Sequence, residues 1–448
     1  MRTKRILTAA AITALLAVSL SGCTRISTPE ELLEPPELNL DKKAMKDAME
    51  KFLPENGVLT TLPSLPGIDK KDTLSKTDLN SDSMDEILAF YKDNNTKLLG
   101  LLVLAQNPDT SWYRLADIKL NSFDILQYSV QDLNNDGTKE IIIGSYSDDS
   151  VNYGRKLTII EYKDKQLRTA VEMPYSVADI EDMDKDGYKE IAVVAPSENM
   201  SGSSLRIINL INGRVEKLSE ISFGDNTDPY AVKIGDIYAS QSAVFVDSFA
   251  GVYSGRTDIY FFESKRLVPV QEINGLDLAE KTFPVQTKDV DDDGIMELGF
   301  PFSPPDNQEI TDPLQPWVKS YYRINQDATM SLVKQIYEDY KMGFLLELPD
   351  SFSDNYSISA NQAGTQIDIN FIASNKQAYK LAQIKLISKE EWETTDQVLQ
   401  INSETSEQVT GGKVEDESAQ LAGADKQQYL KMRSDILNLS NVAKPSGI

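Results

Sequence analysis

The chain has 448 residues, enough for two or three domains with a sizeable core. Asp and Glu number 70 against 45 Lys and Arg, a formal net charge of −25, which would repel phosphate and argues against nucleic acid as a partner. Histidine is absent and Cys23 is the only cysteine, so Ser-His-Asp and Cys-His catalysis, imidazole zinc sites, thiolate metal clusters and an intrachain disulfide are excluded.

Residues 1–22 read as a targeting segment. Arg2, Lys4 and Arg5 make a basic start, and the apolar stretch from Ile6 to Leu20 is too short for a comfortable membrane span. It ends in Leu20-Ser21-Gly22-Cys23. Small residues ahead of a lone cysteine resemble the lipobox of bacterial lipoproteins. That resemblance implies cleavage before Cys23 and lipidation of Cys23. The acyl chains would hold the protein on the outer face of the cytoplasmic membrane, or on a periplasmic or outer-membrane leaflet in a two-membrane envelope. An uncleaved anchor and an ordinary secretion signal are the alternatives.

Residues 23–40 carry Pro29, Pro35, Pro36 and several glutamates, the composition of an extended tether. An amphipathic helix is expected over 41–56. Ala44, Met45, Ala48, Met49 and Phe52 share one face and Pro54 ends it. Its stripe should dock on the next domain.

Residues 57–340 repeat. The stretch DLNNDGTKEIIIGS opens at Asp132, and its spacing recurs at Asp182 and Asp289, more loosely at Asp78, and in eroded form at Asp236. The successive gaps are 54, 50, 54 and 53 residues, a period that marks a repeat architecture. Each unit reads as a strand, an acidic loop and three further strands, the pattern of a propeller blade. The expectation is a mainly β chain: about five four-stranded blades, with six or seven as alternatives. VLTTLP, from Val58 to Pro63, could supply a strand to the last blade and close the ring. Residues 341–448 read as a small α+β domain. Its strands are GFLLEL, TQIDINFI and YKLAQIKLI, a polar stretch runs from about Ser403 to Gly423, and a final helix carries Tyr429, Met432, Ile436 and Leu439.

Calcium takes six to eight hard oxygen ligands in flexible geometry. The repeated loop offers oxygens at positions 1, 3, 5 and 9, with a backbone carbonyl at position 7 and a glycine at position 6 for a turn with positive φ. In the second unit these are Asp132, Asn134, Asp136, the carbonyl of Thr138, and Glu140. In the third they are Asp182, Asp184, Asp186, the carbonyl of Tyr188, and Glu190. In the fifth they are Asp289, Asp291, Asp293, the carbonyl of Ile295, and Glu297. The first unit keeps Asp78, Asn80, Asp82 and Glu86 with Ser83 in place of glycine, a fourth candidate. The fourth unit has Asp236, Tyr238, Ser240 and Val244, and no ion is expected there. Several carboxylates this close repel one another unless a cation or protons intervene. Solvated Asp-Gly turns are the plainer alternative. Position 12 holds Ile143, Val193 or Phe300, which excludes an EF-hand.

The repeated loop resembles the FG-GAP/VCBS repeats, the family of the integrin α-subunit propeller, over about 270 residues. It departs from that family in having Glu rather than Asp at position 9. The resemblance implies calcium loops between the first and second strands of each blade, with a structural role. On the opposite face, long loops carry Tyr146, Tyr153, Phe249, Tyr253 and Trp317, candidates for a partner-binding surface. Packing over the blade edges is the plain alternative for these rings. The sequence therefore suggests a membrane-anchored, non-enzymatic binding module for protein or glycan, with no catalytic residues. An extracytoplasmic polysaccharide hydrolase or lyase on the same scaffold is the alternative, and a calcium sensor is a third.

Overall fold

The computed structural model describes residues 40–61, 73–147, 154–196, 202–224, 227–238, 241–251, 254–270, 281–303, 317–327, 329–352, 355–394, 399–401 and 408–438. Cys23, Tyr153, Ser240, Tyr253 and Leu439 lie outside them. Among the described residues, no helix is long and apolar enough to cross a membrane.

The chain is mainly β, built as six antiparallel sheets, an arrangement consistent with a propeller. In the first, β1 (Gly57–Leu59) and β2 (Leu74–Thr77) share one edge of β3 (Glu86–Asp93), followed by β4 (Leu99–Gln106) and β5 (Trp112–Lys119). The second runs β6 (Ser122–Gln131), β7 (Glu140–Ser147), β8 (Arg155–Lys163), β9 (Gln166–Pro174). The third is β10 (Val177–Glu181), β11 (Glu190–Pro196), β12 (Ser203–Ile211), β13 (Arg214–Ser222). The fourth is β14 (Asp228–Tyr238), β15 (Gln241–Phe249), β16 (Gly255–Glu263), β17 (Arg266–Pro269). The fifth is β18 (Leu298–Phe302), β19 (Val318–Ile324), β20 (Met330–Asp339), β21 (Phe344–Leu348). The sixth holds β22 (Tyr356–Ala360), β23 (Gln366–Ile372), β24 (Ala378–Ser388), β25 (Leu399–Ile401) and β26 (Gln408–Val414), ordered β22-β23-β24-β26-β25.

The strands that follow the acidic turns are short continuous apolar runs, such as EILAFY and EIIIGS, and they are buried on both faces. Alternate residues serve different neighbours. Leu88, Phe90, Leu101 and Val103 pack with Tyr128, Ile141 and Ile143 of the second sheet. The second sheet meets the third through Ile142, Leu157 and Ile159 against Ile191, Val193 and Ile208. Similar cores join the third to the fourth sheet and the fourth to the fifth. Outer strands carry charge instead, as RVEKLSEIS does in β13, which discourages edge-to-edge pairing with another chain. Tight hairpins lead into three of them. Asp164-Lys165, Asn212-Gly213 and Ser264-Lys265 all have positive φ, as two-residue turns between right-twisted strands require.

Both end sheets are covered on their second face. The helix Leu40–Phe52 sets Ala48 and Met49 on Ile87, Ala89, Tyr91, Leu102 and Leu104 of the first sheet. The fifth sheet shares a core with the sixth, where Val318, Tyr337 and Phe344 meet Ile358, Phe371 and Leu381. Tyr429, Met432 and Ile436 of the last helix, Gly423–Asn438, complete that core.

Four expectations need correction. The described residues form six sheets rather than five, because the C-terminal strands form a five-stranded sheet of their own. VLTTLP does not join the last repeat sheet. Gly57–Leu59 pairs with Asp93–Tyr91 in the first sheet, within easy reach of the helix that precedes it. GFLLEL supplies β21 to the fifth sheet, after a turn in which Asp339 accepts the N–H groups of Lys341 and Met342. The polar stretch beyond Ser403 contains β26, between β24 and β25 in the sixth sheet. Its Gly411 lies under the Trp392 ring, where an added Cβ would come within 2.1 Å of a ring carbon.

One buried ion pair ties the fourth sheet to the fifth repeat. Asp247 accepts the Thr287 N–H at 2.7 Å, the Thr287 hydroxyl at 3.1 Å, the Thr257 hydroxyl, and Lys281 Nζ at 3.4 Å. Lys281 also donates to the Val285 carbonyl. Replacing one partner leaves the other charge buried and unpaired. Lys281→Met should therefore lower the unfolding free energy by about 3–5 kcal/mol in denaturant titration, and Lys281→Met with Asp247→Leu should recover much of it.

Candidate metal centre

Four acidic turns share one hydrogen-bond scheme. The position-9 glutamates Glu86, Glu140, Glu190 and Glu297 are all buried. Each accepts, through Oε2, the N–H of the residue at position 2: Leu79 at 2.8 Å, Leu133 at 2.9 Å, Met183 at 2.9 Å and Val290 at 3.0 Å. The position-1 aspartates Asp78, Asp132, Asp182 and Asp289 accept, through Oδ2, the N–H at position 6. Position 5 accepts the N–H of position 7, in the pairs Asp82–Met84, Asp136–Thr138, Asp186–Tyr188 and Asp293–Ile295. Position 6 is left-handed in every copy, with φ of 68° at Ser83, 85° at Gly137, 91° at Gly187 and 86° at Gly294. Position 4 is left-handed as well, at Ser81, Asn135, Lys185 and Asp292.

This wrapping turns side-chain oxygens toward one point. Ligand atoms of Asp182, Asp184 and Glu190 lie within 4.8 Å of one another, and so do those of Asp289, Asp291 and Glu297. Both sets could hold a metal ion. Asp186 and Asp293, expected as ligands at position 5, stand outside these trios. Lys265 reaches Asp186 from the fourth sheet at 3.5 Å. In the first two turns an asparagine at position 3 replaces one acid. Asn80 and Asn134 point their amide nitrogens at Oε1 of Glu86 and Glu140, at 3.3 and 3.4 Å. Among the described residues, Oδ1 of Asp78 and Oε1 of Glu190 are buried without a hydrogen-bond partner. Buried oxygens of that kind are costly unless a ligand or a proton meets them, so the donor set fits a hard cation.

The electrostatics point the same way. Burial pushes Glu140 up to about 7, with Asp136, Asp132 and Glu161 adding repulsion against the favourable amide of Leu133. Burial also raises Glu86, Glu190 and Glu297, and burial followed by the nearby Asp186 raises Asp184.

The turns adjoin. Lys139 N donates to the Leu79 carbonyl at 2.8 Å, and Lys189 N to the Leu133 carbonyl at 2.9 Å. The Ser81 hydroxyl donates to the carbonyl of Gly137. Asp236, the remnant of the fourth motif, sits in β14 and accepts the Ser242 hydroxyl. Its backbone bridges to Ile295, and its carbonyl accepts Met296 N at 2.8 Å. Tyr238 lies in the same strand, and Val244 is a buried residue of β15.

Two residues that the motif does not contain complete the picture. Strand pairing sets β12 beside β11 and β19 beside β18, which brings Asn209 opposite Glu190 and Arg323 opposite Glu297. Arg323 donates to Glu297 Oε1 at 2.8 Å and pairs with Asp291 at 3.0 Å and Asp293 at 2.9 Å. Asn209 is buried and its Oδ1 has no hydrogen-bond partner.

At the other end of the sheets, Tyr146 is 40% exposed under the Arg155 guanidinium, and Phe249 is 37% exposed against the Tyr230 ring. Trp317 is half-buried and stacks on Phe283.

No family model matches the chain, and no curated protein matches it. Among solved structures, a protein from Lactobacillus plantarum is similar at 10% identity, with 67% of this chain and 82% of that chain covered and a TM-score of 0.33.

The first turn keeps the backbone of the others without glycine, so Ser83 carries left-handed strain. Ser83→Gly should raise stability by about 0.5–1 kcal/mol, and Gly137→Ala should cost about 1 kcal/mol, both read from thermal melts of the full chain.

Proposed function

We propose that the chain is a lipid-anchored, extracytoplasmic binding module, non-enzymatic, whose calcium-stabilised propeller presents one face to a protein or glycan. In this reading the repeated four-stranded sheets are the blades, with the Leu40–Phe52 helix packed on the first sheet and the C-terminal sheet on the fifth. The observation that carries it is the recurrence of one acidic turn, with one hydrogen-bond scheme, in the first, second, third and fifth sheets. Calcium at those turns would offset buried carboxylates and stiffen the blades. The opposite end, with the exposed rings of Tyr146 and Phe249, is left for a partner. Lipid on Cys23 would supply the membrane attachment.

Extracellular calcium modules bind with Kd of about 0.1–1 mM. At 10 mM calcium each loaded site should add about 1.4–2.7 kcal/mol, read as a saturable rise in Tm of the full chain in detergent. An unchanged Tm would remove calcium from the account. Cys23→Ala should abolish incorporation of labelled palmitate and release the protein from membranes. A photo-crosslinking residue placed at Tyr146 or Phe249 should capture a partner in cells, and one placed at Asp136 should not. Equal capture at all three positions would contradict the assignment of the binding face.

A further inference from the structure

The two three-carboxylate turns differ at the residue across the strand pair from the position-9 glutamate. We infer that they are loaded differently: the turn at Asp182 takes a divalent hard cation, and the turn at Asp289 is closed by the chain's own Arg323. This rests on reading the turns as cation sites.

In the fifth repeat the guanidinium already performs the ion's task. Its Nη2 reaches Asp291 Oδ2 at 3.0 Å and Glu297 Oε1 at 2.8 Å, its Nη1 reaches Asp293 Oδ2 at 2.9 Å, and its Nε donates to Glu297 Oε1 at 3.0 Å. Arginine is permanently charged and its planar fork matches carboxylates. A calcium ion would need the same Glu297 and Asp291 oxygens at about 2.3–2.6 Å. It would also sit within a few ångströms of a like charge. The two cations therefore exclude each other.

In the third repeat the equivalent residue is neutral. Asn209 is only 2% exposed, and its side chain hydrogen-bonds the Glu190 carboxyl without bringing a charge. Among the described residues, its Oδ1 accepts no hydrogen bond, and neither does Oε1 of Glu190, itself fully buried. A neutral amide offsets no charge, so the gathered oxygens of Asp182, Asp184 and Glu190 form a donor set that lacks its cation. The lysines nearby engage other groups at the rim. Lys265 pairs with Asp186, outside the trio, and Lys185 with Asp236 at 3.7 Å. The first and second repeats place Ala105 and Glu161 in the corresponding strand position, and Arg168 holds Glu161 at 2.7 Å.

The test is calcium stoichiometry by equilibrium dialysis on the full chain, alone and with single substitutions. Glu190→Gln should lose one ion relative to the natural chain, Arg323→Gln should gain one, and Glu297→Gln should lose none. Loss of one ion in Glu297→Gln, or no gain in a folded Arg323→Gln, would overturn the role of Arg323 while calcium binding itself stands. An unchanged count in Glu190→Gln would overturn the assignment of the third turn. Should Arg323→Gln fail to fold, Glu297→Gln alone decides the fifth turn. If neither the natural chain nor any variant binds calcium, the cation reading of the turns fails with the inference.

Discussion

A buried carboxylate at the mouth of the first, second, third and fifth sheets constrains everything around it. The position-9 glutamate is the first or last residue before an apolar strand, and it has left water. One oxygen is held by the amide of position 2, which folds the turn back over the strand and seats an apolar residue, Leu79, Leu133, Met183 or Val290, beneath it. The other oxygen still needs a partner. The four copies answer that need with different groups: an asparagine amide from within the turn in the first two, a guanidinium in the fifth, and in the third only the neutral side chain of Asn209 from the neighbouring strand.

That demand spreads because the turns touch. The position-8 amide of the second and third turns donates to the position-2 carbonyl of the turn before, so the residue that clamps one glutamate also receives the next turn. Where the motif has eroded, Asp236 keeps this backbone role by bridging to Ile295. A sheet can thus lose its acidic side chains and still carry the chain of turns forward. Face-to-face cores do the remaining work, each shared by two consecutive sheets, with a helix covering one end of the series and the C-terminal sheet the other.

The turns were legible in the sequence because nine contiguous residues contain nearly all their chemistry. Strand order within the second to fourth repeats was legible for the same reason, since each strand neighbours the one before it. What lay across strands was not. Asn209 follows Glu190 by 19 residues, whereas Arg323 follows Glu297 by 26, so only the register reveals that they occupy the same place. GFLLEL has a strand's composition wherever it pairs, and composition alone does not say that it extends the fifth sheet. QVTGGKV reads as a polar linker until Trp392 is seen against Gly411. Left-handed residues at position 4 escaped notice because four different side chain types, none of them glycine, adopt that conformation there.

The most direct measurement is amide hydrogen exchange, resolved residue by residue, with and without calcium. If the buried glutamate and a bound cation together hold the third turn, the amides of Met183 and Lys189 should be protected several-fold more when calcium is present. The amide of Val290, clamped under Arg323, should change little. Equal protection of Met183 and Lys189 in both conditions would mean that the turns are held by their hydrogen bonds alone, and the central claim would be wrong.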